Sequence, residues 1–367
     1  MIRLNKIIKN ILTKIENKGF EAYVVGGYIR DLLVGISSYD IDICTNATPK
    51  ELLTIFPNAS SKNLGGIDFK IKEYHIEITT YREEIKYKGR KPVEFNYINN
   101  LVSDLQRRDF TVNAICMNSK GEIIDLVGGI DDLRALKIRI IGDETKKIKE
   151  DPLRILRGIR LATILNFNLD SNFYKAIEAN NELILTLSNT RIKEELDKIL
   201  LSSNVKKGLS LLDDLGILDL LEINEWKNII PIKNIEGMYA QLKINMNLPF
   251  TKEEKNNITA LRRIINSKTI DRYTIYHYGL YLSQVAGEIL NIDKKTINKI
   301  YKDLPIYDKK EINIKAETII KVLDIEYSKT VSIILKDLEN LIINGKIRNK
   351  TSDIIKYIKD HKSEWIK

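Results

Sequence analysis

The spacing of apolar residues changes near residue 142, and this change limits the possible folds more than any other feature of the sequence. Before that point apolar and polar residues alternate, as where Ile41 and Ile43 alternate with Asp40 and Asp42, which is typical of half-buried strands. After it, apolar residues recur at helical spacing, as in the stretch that begins at Leu153. The sequence therefore predicts an α/β domain followed by an all-helical remainder.

Other short strands are predicted in the same N-terminal region. Residues 22–25 are apolar and end at a glycine pair, and Ile76 and Ile78 alternate with polar neighbours. Residues 110–117 and 122–126 have a similar apolar content. Short apolar runs bounded by glycine are typical of strands, so we expect each of these segments to extend the sheet.

Length and composition indicate how many domains the chain can form and in which compartment it is expected. A chain of 367 residues, 43% of them hydrophobic, is long enough for two or more packed domains. Cys44 and Cys116 are too few for a disulfide framework, which favours a reducing compartment. Neither a signal peptide nor an apolar run long enough to span a bilayer is visible, so we expect a cytoplasmic protein with no membrane partner.

The charge balance favours a polyanionic partner. Lysine and arginine number 59 against 50 acidic residues, which gives a net charge of +9. Such an excess is typical of proteins that bind RNA. Solvated surface lysines explain it equally well unless they cluster, so charge alone leaves both interpretations open.

A glycine pair between a predicted strand and a predicted helix is the first candidate for a phosphate site. Gly26 and Gly27 let the backbone approach a phosphate, and the helix that follows offers free N–H groups. Arg30, one turn into that helix, adds a charged donor. An ordinary strand-to-helix turn is the alternative.

Two carboxylates on the next strand are the candidate metal ligands. Asp40 and Asp42 are two residues apart, so both side chains point to the same face of a strand. Carboxylates placed side by side suit Mg²⁺, and two such ions would activate a ribose 3′-hydroxyl and support a leaving pyrophosphate. A solvated exposed strand is the alternative, although the preceding glycine pair makes the metal site more specific.

Three arginines recur at every third position of a predicted helix. Arg154 has Glu150 and Asp151 within four residues, so an ion pair along the helix explains it as well as a ligand does. Arg157 and Arg160 have no acid three or four positions away. Arginines of this kind among apolar residues need an anion, a base edge or a distant carboxylate.

The pair Asp151 and Arg154 has the donors and acceptors to read a base. Cytosine and adenine each present an exocyclic amine beside a ring-nitrogen acceptor, whereas uracil and guanine present the opposite pattern. An aspartate that accepts from the amine, beside an arginine that donates to the ring nitrogen, would select C and A. Nucleotides would then be chosen without a nucleic-acid template.

A charged cluster at residues 104–114 precedes one of the predicted strands. Arg107 and Arg108 are placed to face a ribose or a phosphate. Alternatively, Arg108 and Asp109 only stabilise the fold. The residues themselves do not decide between the two.

Five segments in this order resemble the motifs of the class II tRNA nucleotidyltransferases, which comprise the bacterial CCA-adding enzymes and their poly(A) polymerase relatives. The resemblance covers nearly the whole chain. The segments are GGYIRDLLVG at 26–35 with Asp40 and Asp42, RRDFTVNA at 107–114, DLVGGIDDLRALKIRIIG at 125–142, EDPLRILRGIRLA at 150–162, and RIKEELDKIL at 191–200.

The resemblance implies roles for the residues of the first two motifs. Asp40 and Asp42 would hold Mg²⁺ and would be the catalytic residues. Gly27 and Arg30 would contact the phosphates of the incoming nucleotide, and Arg108 would contact its sugar or phosphates.

The resemblance also implies how the base is chosen. Asp151 and Arg154 would be the protein template for C and A, and Arg157 and Arg160 would complete the nucleotide pocket. Glu77, on the strand after the second glycine pair, is either a third acid near the metal or the partner of a lysine.

The family fold implies four segments. Residues 1–142 would be a head with a polymerase-β type nucleotidyltransferase sheet, and residues 143–204 would be a helical, nucleotide-selecting neck. Residues 205–300 and 301–367 would be the helical body and tail, which hold the acceptor arm and elbow of tRNA. The sequence leaves the oligomeric state open.

The function implied is addition of CCA to tRNA from CTP and ATP. Residues 80–92 resemble the flexible loop of enzymes able to add the final A, which argues against an enzyme that adds only CC. An A-adding enzyme, a poly(A) polymerase and a non-catalytic RNA-binding protein remain the alternatives.

Overall fold

The structure, a computed structural model, describes residues 4–62, 65–88, 91–244, 247–326 and 329–365. The described chain divides into two compact units. One contains the residues up to Glu222 together with residues 247–248, and the other contains the rest of the chain from Ile223 onward.

The N-terminal part of the first unit carries most of the strands. Its elements are, in chain order, α1 (Lys6–Glu16), β1 (Ala22–Val25), α2 (Gly27–Leu33), β2 (Asp40–Thr45), α3 (Pro49–Ile55), β3 (Ser60–Lys62), β4 (Gly66–Ile71), β5 (Tyr74–Thr80), β6 (Arg82–Lys88), β7 (Lys91–Tyr97), α4 (Leu101–Gln106), β8 (Cys116–Met117), β9 (Ile123–Ile124), α5 (Gly129–Arg134) and β10 (Lys137–Ile138).

Seven of these strands form one mixed sheet in the order β3-β4-β5-β2-β1-β8-β9. β2 runs parallel to β5 and antiparallel to β1, so the strand with the paired aspartates lies in the middle of the sheet. β6 and β7 form a separate antiparallel hairpin. The predictions for residues 22–25 and for the alternation around Ile76 are confirmed, whereas the strand predicted at 122–126 is reduced to the two residues of β9.

The strand predicted over residues 110–117 is wrong for most of its length. Thr111–Asn113 form a 3-10 helix, and only Cys116–Met117 join the sheet. The Thr111 hydroxyl donates a hydrogen bond to buried Asp132 at 2.6 Å, and this bond holds the backbone in a bend. An apolar run cannot by itself reveal such a bend, because the same residues are buried in either conformation.

The remaining elements of the first unit are mainly helical. They are α6 (Glu144–Glu150), α7 (Leu153–Leu165), β11 (Asn168–Leu169), α8 (Ser171–Glu178), α9 (Asn189–Leu200), α10 (Val205–Asp214) and α11 (Ile217–Leu220), with a 3-10 helix at Asn181–Thr186. Because β11 pairs with β10 in parallel, the helical part adds a two-stranded sheet that the helical periodicity does not predict.

The second unit is also helical. It contains β12 (Ile223–Asn224), α12 (Ile235–Ala240), β13 (Lys243–Ile244), α13 (Lys252–Ser267), α14 (Arg272–Leu290), α15 (Lys294–Lys302), α16 (Ala316–Leu323), α17 (Lys329–Ile343), α18 (Thr351–Asp360) and α19 (Lys362–Trp365), with a 3-10 helix at Lys309–Glu311. Aliphatic residues of α16, α17 and α18 form a buried core, as expected for helices with one apolar face.

The predicted fold class, an α/β head followed by helices, is confirmed. The division after Glu222 lies inside the segment 205–300 that was predicted as the body. The predicted boundaries at 142, 204 and 300 stay predictions. Across the ranges that the structure describes, no helix has both the length and the apolar character needed to cross a bilayer.

The packing of α7 on α8 depends on the absence of a side chain at Gly158. A Cβ there would lie 2.5 Å from Cε1 of Phe173, whose ring also packs edge-on against Phe110.

We expect Gly158→Ala to lower the free energy of unfolding by about 1–3 kcal/mol despite the better helix propensity of alanine. Urea denaturation of Gly158→Ala, Phe173→Leu and the double variant measures this. Because leucine at position 173 leaves room for the added methyl group, the double variant should lose less free energy of unfolding than the sum of the two single losses. Simple additivity would contradict the contact.

Candidate active site

The glycine pair and the paired aspartates meet at the end of β1. Val25 lies opposite Asp42 in the antiparallel register, so the turn that follows β1 passes beside the Asp42 carboxylate. Gly26 has a φ of 85°, and a Cβ at this position would lie 2.8 Å from Asp42 Oδ2. Only glycine fits both the backbone conformation and the close approach.

Three carboxylates lie near one another on this part of the sheet. Asp40 and Asp42 share the open face of β2, and Asp42 lies beside Glu77 in the parallel register with β5. The Asp40 side chain is 89% exposed, whereas Glu77 forms an ion pair with Lys62. Glu77 is thus both the partner of a lysine and an acid beside Asp42, and a role for it at the metal stays a prediction.

The environment of Asp42 opposes its charge. Asp42 is exposed where it opens into a cavity, but the protein around it still desolvates its carboxyl, which raises the pKa. Arg108 lowers that pKa, Glu77 and Asp40 raise it, and Lys62 lowers it, with a net shift upward. Crowded carboxylates of this kind are stabilised by a cation that they share.

The donor set fits a divalent cation. Two carboxylates on one strand face provide the hard oxygen ligands that Mg²⁺ prefers, and Mg²⁺ characteristically keeps water or phosphate oxygens in its other positions. In the described residues no group of three or more His, Cys, Asp or Glu side chains converges on a metal position. Asp40 and Asp42 would therefore hold the ion with oxygen ligands from outside the protein completing its shell.

Arg30 connects the glycine turn to the second motif. Its Nε and Nη2 donate to Asp31 Oδ1 at 2.9 and 2.7 Å, and its Nη1 donates to Asn113 Oδ1. Asn113 in turn donates to Asp109 Oδ1 at 3.3 Å. The bend at Thr111–Asn113, which the sequence does not predict, is what brings Asn113 to this position.

Arg157 has the distant carboxylate that its surroundings require. Its Nε donates to Asp109 Oδ2 at 2.9 Å, and its Nη2 donates to the same oxygen. The Asp109 charge raises the pKa of Arg157. Burial raises the pKa of Asp109, but Arg157 and hydrogen bonds from Asn113 and the Phe110 N–H together lower this pKa by a larger amount, so the net shift is downward.

Arg160 has a second acidic partner. Its Nε lies 2.9 Å from Glu195 Oε2, although neither atom has a hydrogen bond of acceptable geometry within the described chain. Burial lowers the pKa of Arg160. Glu195 belongs to the motif on α9, and nothing in the sequence spacing identifies it as the partner of an arginine on α7.

Asp151 and Arg154 lie at the junction of α6 and α7. Arg154 is buried, with Nη1 donating to the Lys147 carbonyl at 2.6 Å and lying 3.4 Å from Glu150 Oε2. Asp151 Oδ1 accepts from the Leu153 N–H at 3.2 Å. The ion pair with Glu150 that was considered from the sequence is present, and it leaves both side chains at the wall of the same cavity.

One buried carboxylate organises the arginines of the second motif. Asp104 Oδ1 accepts from Arg107 Nε at 2.9 Å, and Oδ2 accepts from Arg108 Nη2 at 3.2 Å. The sequence alone does not identify Asp104 as a site residue. Its spacing of three and four residues from the arginines is the signal that identifies it once the segment is known to be helical.

Two cavities meet at Asp42. The first, of about 550 Å³, is lined by residues of all the motifs predicted to bind nucleotide: Gly26, Gly27, Arg30, Asp42, Arg82, Arg107, Arg108, Asp109, Asn113, Asp151, Arg154, Arg157, Arg160, Leu161 and Ile164. The second, of about 800 Å³, is lined by Asp42, Ser61, Lys62, Gly66, Glu77, Thr79, Arg82, Arg107, Arg108 and Arg157. Apart from Asp40, the predicted site residues are therefore together at one cavity.

Comparison with known proteins places the chain in a family. Residues 22–139 match the Poly A polymerase head domain, residues 166–226 match the RNA and SrmB-binding site of polymerase A, and residues 234–358 match tRNA nucleotidyltransferase domain 2. A CCA-adding enzyme of Streptococcus agalactiae is 32% identical, over 96% of each chain. The chain belongs to the CCA-adding enzyme family. Another member, from Lactococcus lactis, is 30% identical over 95% of this chain and 94% of its own.

Solved structures of CCA-adding enzymes share the fold. The Bacillus stearothermophilus enzyme in complex with CTP superposes with a TM-score of 0.81 at 22% identity, over 97% of both chains. The Thermotoga maritima enzyme complexed with tRNA-CCA superposes with a TM-score of 0.69 at 20% identity, over 97% of this chain and 96% of that one. The predicted family and fold are confirmed, and the roles of individual site residues stay predictions.

The lowered pKa of Asp109 predicts a pH-dependent effect of its removal. A carboxylate whose pKa is lower in the folded than in the unfolded state stabilises the fold above the unfolded value, about 3.9, and loses this effect as pH falls through the folded value. We expect Asp109→Asn to cost about 1–3 kcal/mol at pH 7, since Arg157 loses its charged partner. The difference from wild type should shrink below pH of about 4.

Thermal melts from pH 7 to pH 3.5 measure this difference. Asp131→Asn is the matched control, because among the described residues Asp131 forms an ion pair only with Arg134, and its side chain is 84% exposed. A penalty for Asp109→Asn that does not change with pH would show that its charge is not what stabilises the fold.

Proposed function

We propose that this enzyme adds C, C and A to the 3′ end of tRNA from CTP and ATP, and that its own side chains select the base. One observation carries the proposal. Asp42, the glycine turn beside it and the pair Asp151 and Arg154 line a single cavity in a member of the CCA-adding enzyme family.

Asp40 and Asp42 are the proposed catalytic residues and magnesium ligands. Bound Mg²⁺ would lower the pKa of the attacking hydroxyl and neutralise charge on the phosphates. The 3′-hydroxyl of the RNA forms a bond to the α-phosphorus, and the bond to the leaving pyrophosphate breaks. The protein would hold both reacting groups where β1 ends and β2 begins.

Gly27, Arg30 and Arg108 are the proposed phosphate and sugar contacts. The α2 helix begins at Gly27, directly after the turn beside Asp42, so its first N–H groups are available near the metal ligands. Arg30 and Arg108 are each held by a carboxylate, and both line the same cavity. Donors fixed in this way need little reorganisation when an anion binds.

Asp151 and Arg154 are the proposed protein template. Asp151 accepts from the exocyclic amine of cytosine or adenine, and Arg154 donates to the neighbouring ring nitrogen. Arg157 and Arg160 complete the pocket from the same helix. Their ion pairs with Asp109 and Glu195 orient them, and Leu161 and Ile164 add apolar surface near the base.

tRNA is the proposed nucleic-acid partner. The relatives crystallised with CTP and with tRNA-CCA share this fold, and the net charge of +9 favours a polyanion. Contacts of the body and tail with the acceptor arm and elbow, and action in the cytoplasm, are parts of the same proposal.

An extension assay tests the function. The protein is incubated with Mg²⁺ and three tRNA transcripts that end before CCA, after C and after CC, with CTP and ATP supplied separately and together. Sequencing of the products should show completion to CCA on all three transcripts. Addition of A to the CC-ending transcript alone would make it an A-adding enzyme, and long A tails would make it a poly(A) polymerase.

Removal of the metal ligands should separate catalysis from RNA binding. We expect Asp40→Ala and Asp42→Ala each to lower kcat by roughly 100-fold or more. Their Kd for tRNA should stay within about twofold of wild type, because phosphate contacts elsewhere supply the affinity. Asp131→Ala is the control for an exposed head carboxylate. Activity retained in both variants would refute the metal assignment.

Loss of the template pair should relax nucleotide choice. We expect Asp151→Ala and Arg154→Ala to reduce discrimination against UTP and GTP by about 1–3 kcal/mol per lost contact. The measurement is the ratio of kcat/KM values for CTP and UTP and for ATP and GTP. Arg191→Ala, which removes a half-exposed arginine of α9, should leave these ratios unchanged. Unchanged ratios in both template variants would contradict base selection by this pair.

A further inference from the structure

Asp104 is a charged residue with no access to solvent. Its side chain is fully buried on α4, and both of its oxygens accept hydrogen bonds. Oδ1 accepts from Arg107 Nε and Nη2 at 2.9 and 2.7 Å and from the Arg82 N–H at 3.3 Å, and Oδ2 accepts from Arg108 Nη2 at 3.2 Å. One carboxylate thus holds two guanidinium groups and the first residue of the β6–β7 hairpin.

The two arginines held by Asp104 face the reaction site. Both line each of the two cavities that meet at Asp42. Burial lowers the pKa of Arg108, but the charges of Asp104 and of Asp42 are among those that raise it, so the net shift is upward. Within the described chain Arg108 Nε has no hydrogen-bond partner. The hydrogen bond from Arg108 Nη2 to Asp104 is therefore important for the orientation of the Arg108 guanidinium group.

A second buried carboxylate shows what a purely structural role looks like. Asp170 is 8% exposed, accepts from the Asn172 N–H at the start of α8, and lies 3.6 Å from Lys137 Nζ and 4.0 Å from Arg139 Nε. Both cations are half-exposed, and neither is among the residues that line either cavity. Asp104 differs in that the cations it holds are directed at the site.

We propose that Asp104 is a positioning residue for nucleotide binding, which sets the orientation of Arg107 and Arg108 toward the triphosphate and sugar. This rests on the proposed function, since it assumes that the cavity takes a nucleoside triphosphate. Asp104 itself touches no substrate. It acts through the arginines and fixes them before the nucleotide arrives, which reduces the entropy lost on binding.

The test compares Asp104→Asn with Asp170→Asn by equilibrium binding of CTP in Mg²⁺ without tRNA, so that no turnover occurs. We expect Asp104→Asn to raise the Kd for CTP by about tenfold, the loss of one charge-assisted hydrogen bond. The Kd for tRNA should stay within about twofold, because phosphate contacts elsewhere supply that affinity. Asp170→Asn should lower the melting temperature but leave the Kd for CTP within about twofold, since the cations it pairs with line neither cavity.

A second background tests whether Asp104 acts through Arg108. In Arg108→Ala protein, Asp104→Asn should raise the Kd for CTP by a smaller factor than in wild type, because residues that act as a unit are not additive. Full additivity would overturn the proposed route. A wild-type-like Kd in Asp104→Asn, with a lowered melting temperature, would make Asp104 structural only.

Asp104→Glu provides the answer if the asparagine variant does not fold. It keeps the charge and moves the carboxylate by one methylene, so it should fold and still raise the Kd for CTP, and an unchanged Kd would overturn the proposal. The proposed function is tested separately by the wild type. Failure of wild-type protein to bind CTP and to extend tRNA would refute the function, whereas normal wild-type activity with a normal Asp104→Asn Kd would refute the positioning role alone.

Discussion

The ion pair between Asp109 and Arg157 connects α7 to the segment that follows α4. Asp109 follows α4 in the head, and Arg157 lies on α7, so this pair ties the two segments together across the cavity. Asp109 also accepts from Asn113, which accepts from Arg30 beside the glycine turn. Attraction to Arg157 and hydrogen bonds from Asn113 and the Phe110 N–H outweigh the desolvation of Asp109, because the net shift of its pKa is downward. The pair also has a geometric effect, since it ties α7, which carries Arg154, to the segment just before the Thr111–Asn113 turn.

The same principle organises the other arginines of the cavity. Arg30 is held by Asp31, Arg108 by Asp104, and Arg160 by close contact with Glu195. Each cation keeps a carboxylate nearby, so the fold tolerates several positive charges in a confined space. A triphosphate that enters meets donors whose positions are already set. Donors held in place stabilise a bound anion more strongly than the same donors on mobile side chains.

The local parts of the site could be predicted from sequence, and the long-range parts could not. The shared face of Asp40 and Asp42 follows from the period of a strand, and it is confirmed. The partner of Arg157 could not be identified, because Asp109 lies 48 residues away and no local pattern connects them. Likewise the strand predicted over residues 110–117 failed, because a tertiary hydrogen bond to Asp132 decides the backbone there. Fold class depends on periodicity, whereas ion-pair partners depend on topology.

A single proline interrupts the helix at Asp151 and leaves this residue at the wall of the cavity. Pro152 disfavours helical backbone at the residue before it, and Asp151 has φ and ψ of −145° and 96°, outside the helical region. α6 therefore ends at Glu150, and α7 begins at Leu153. If the helix were continuous, Asp151 and Arg154, which are three positions apart, would lie on the same helix face and would pair with each other. With the helix interrupted, Arg154 pairs with Glu150 and Asp151 accepts from the Leu153 N–H, and both side chains remain at the cavity wall, where the proposed base reading requires them.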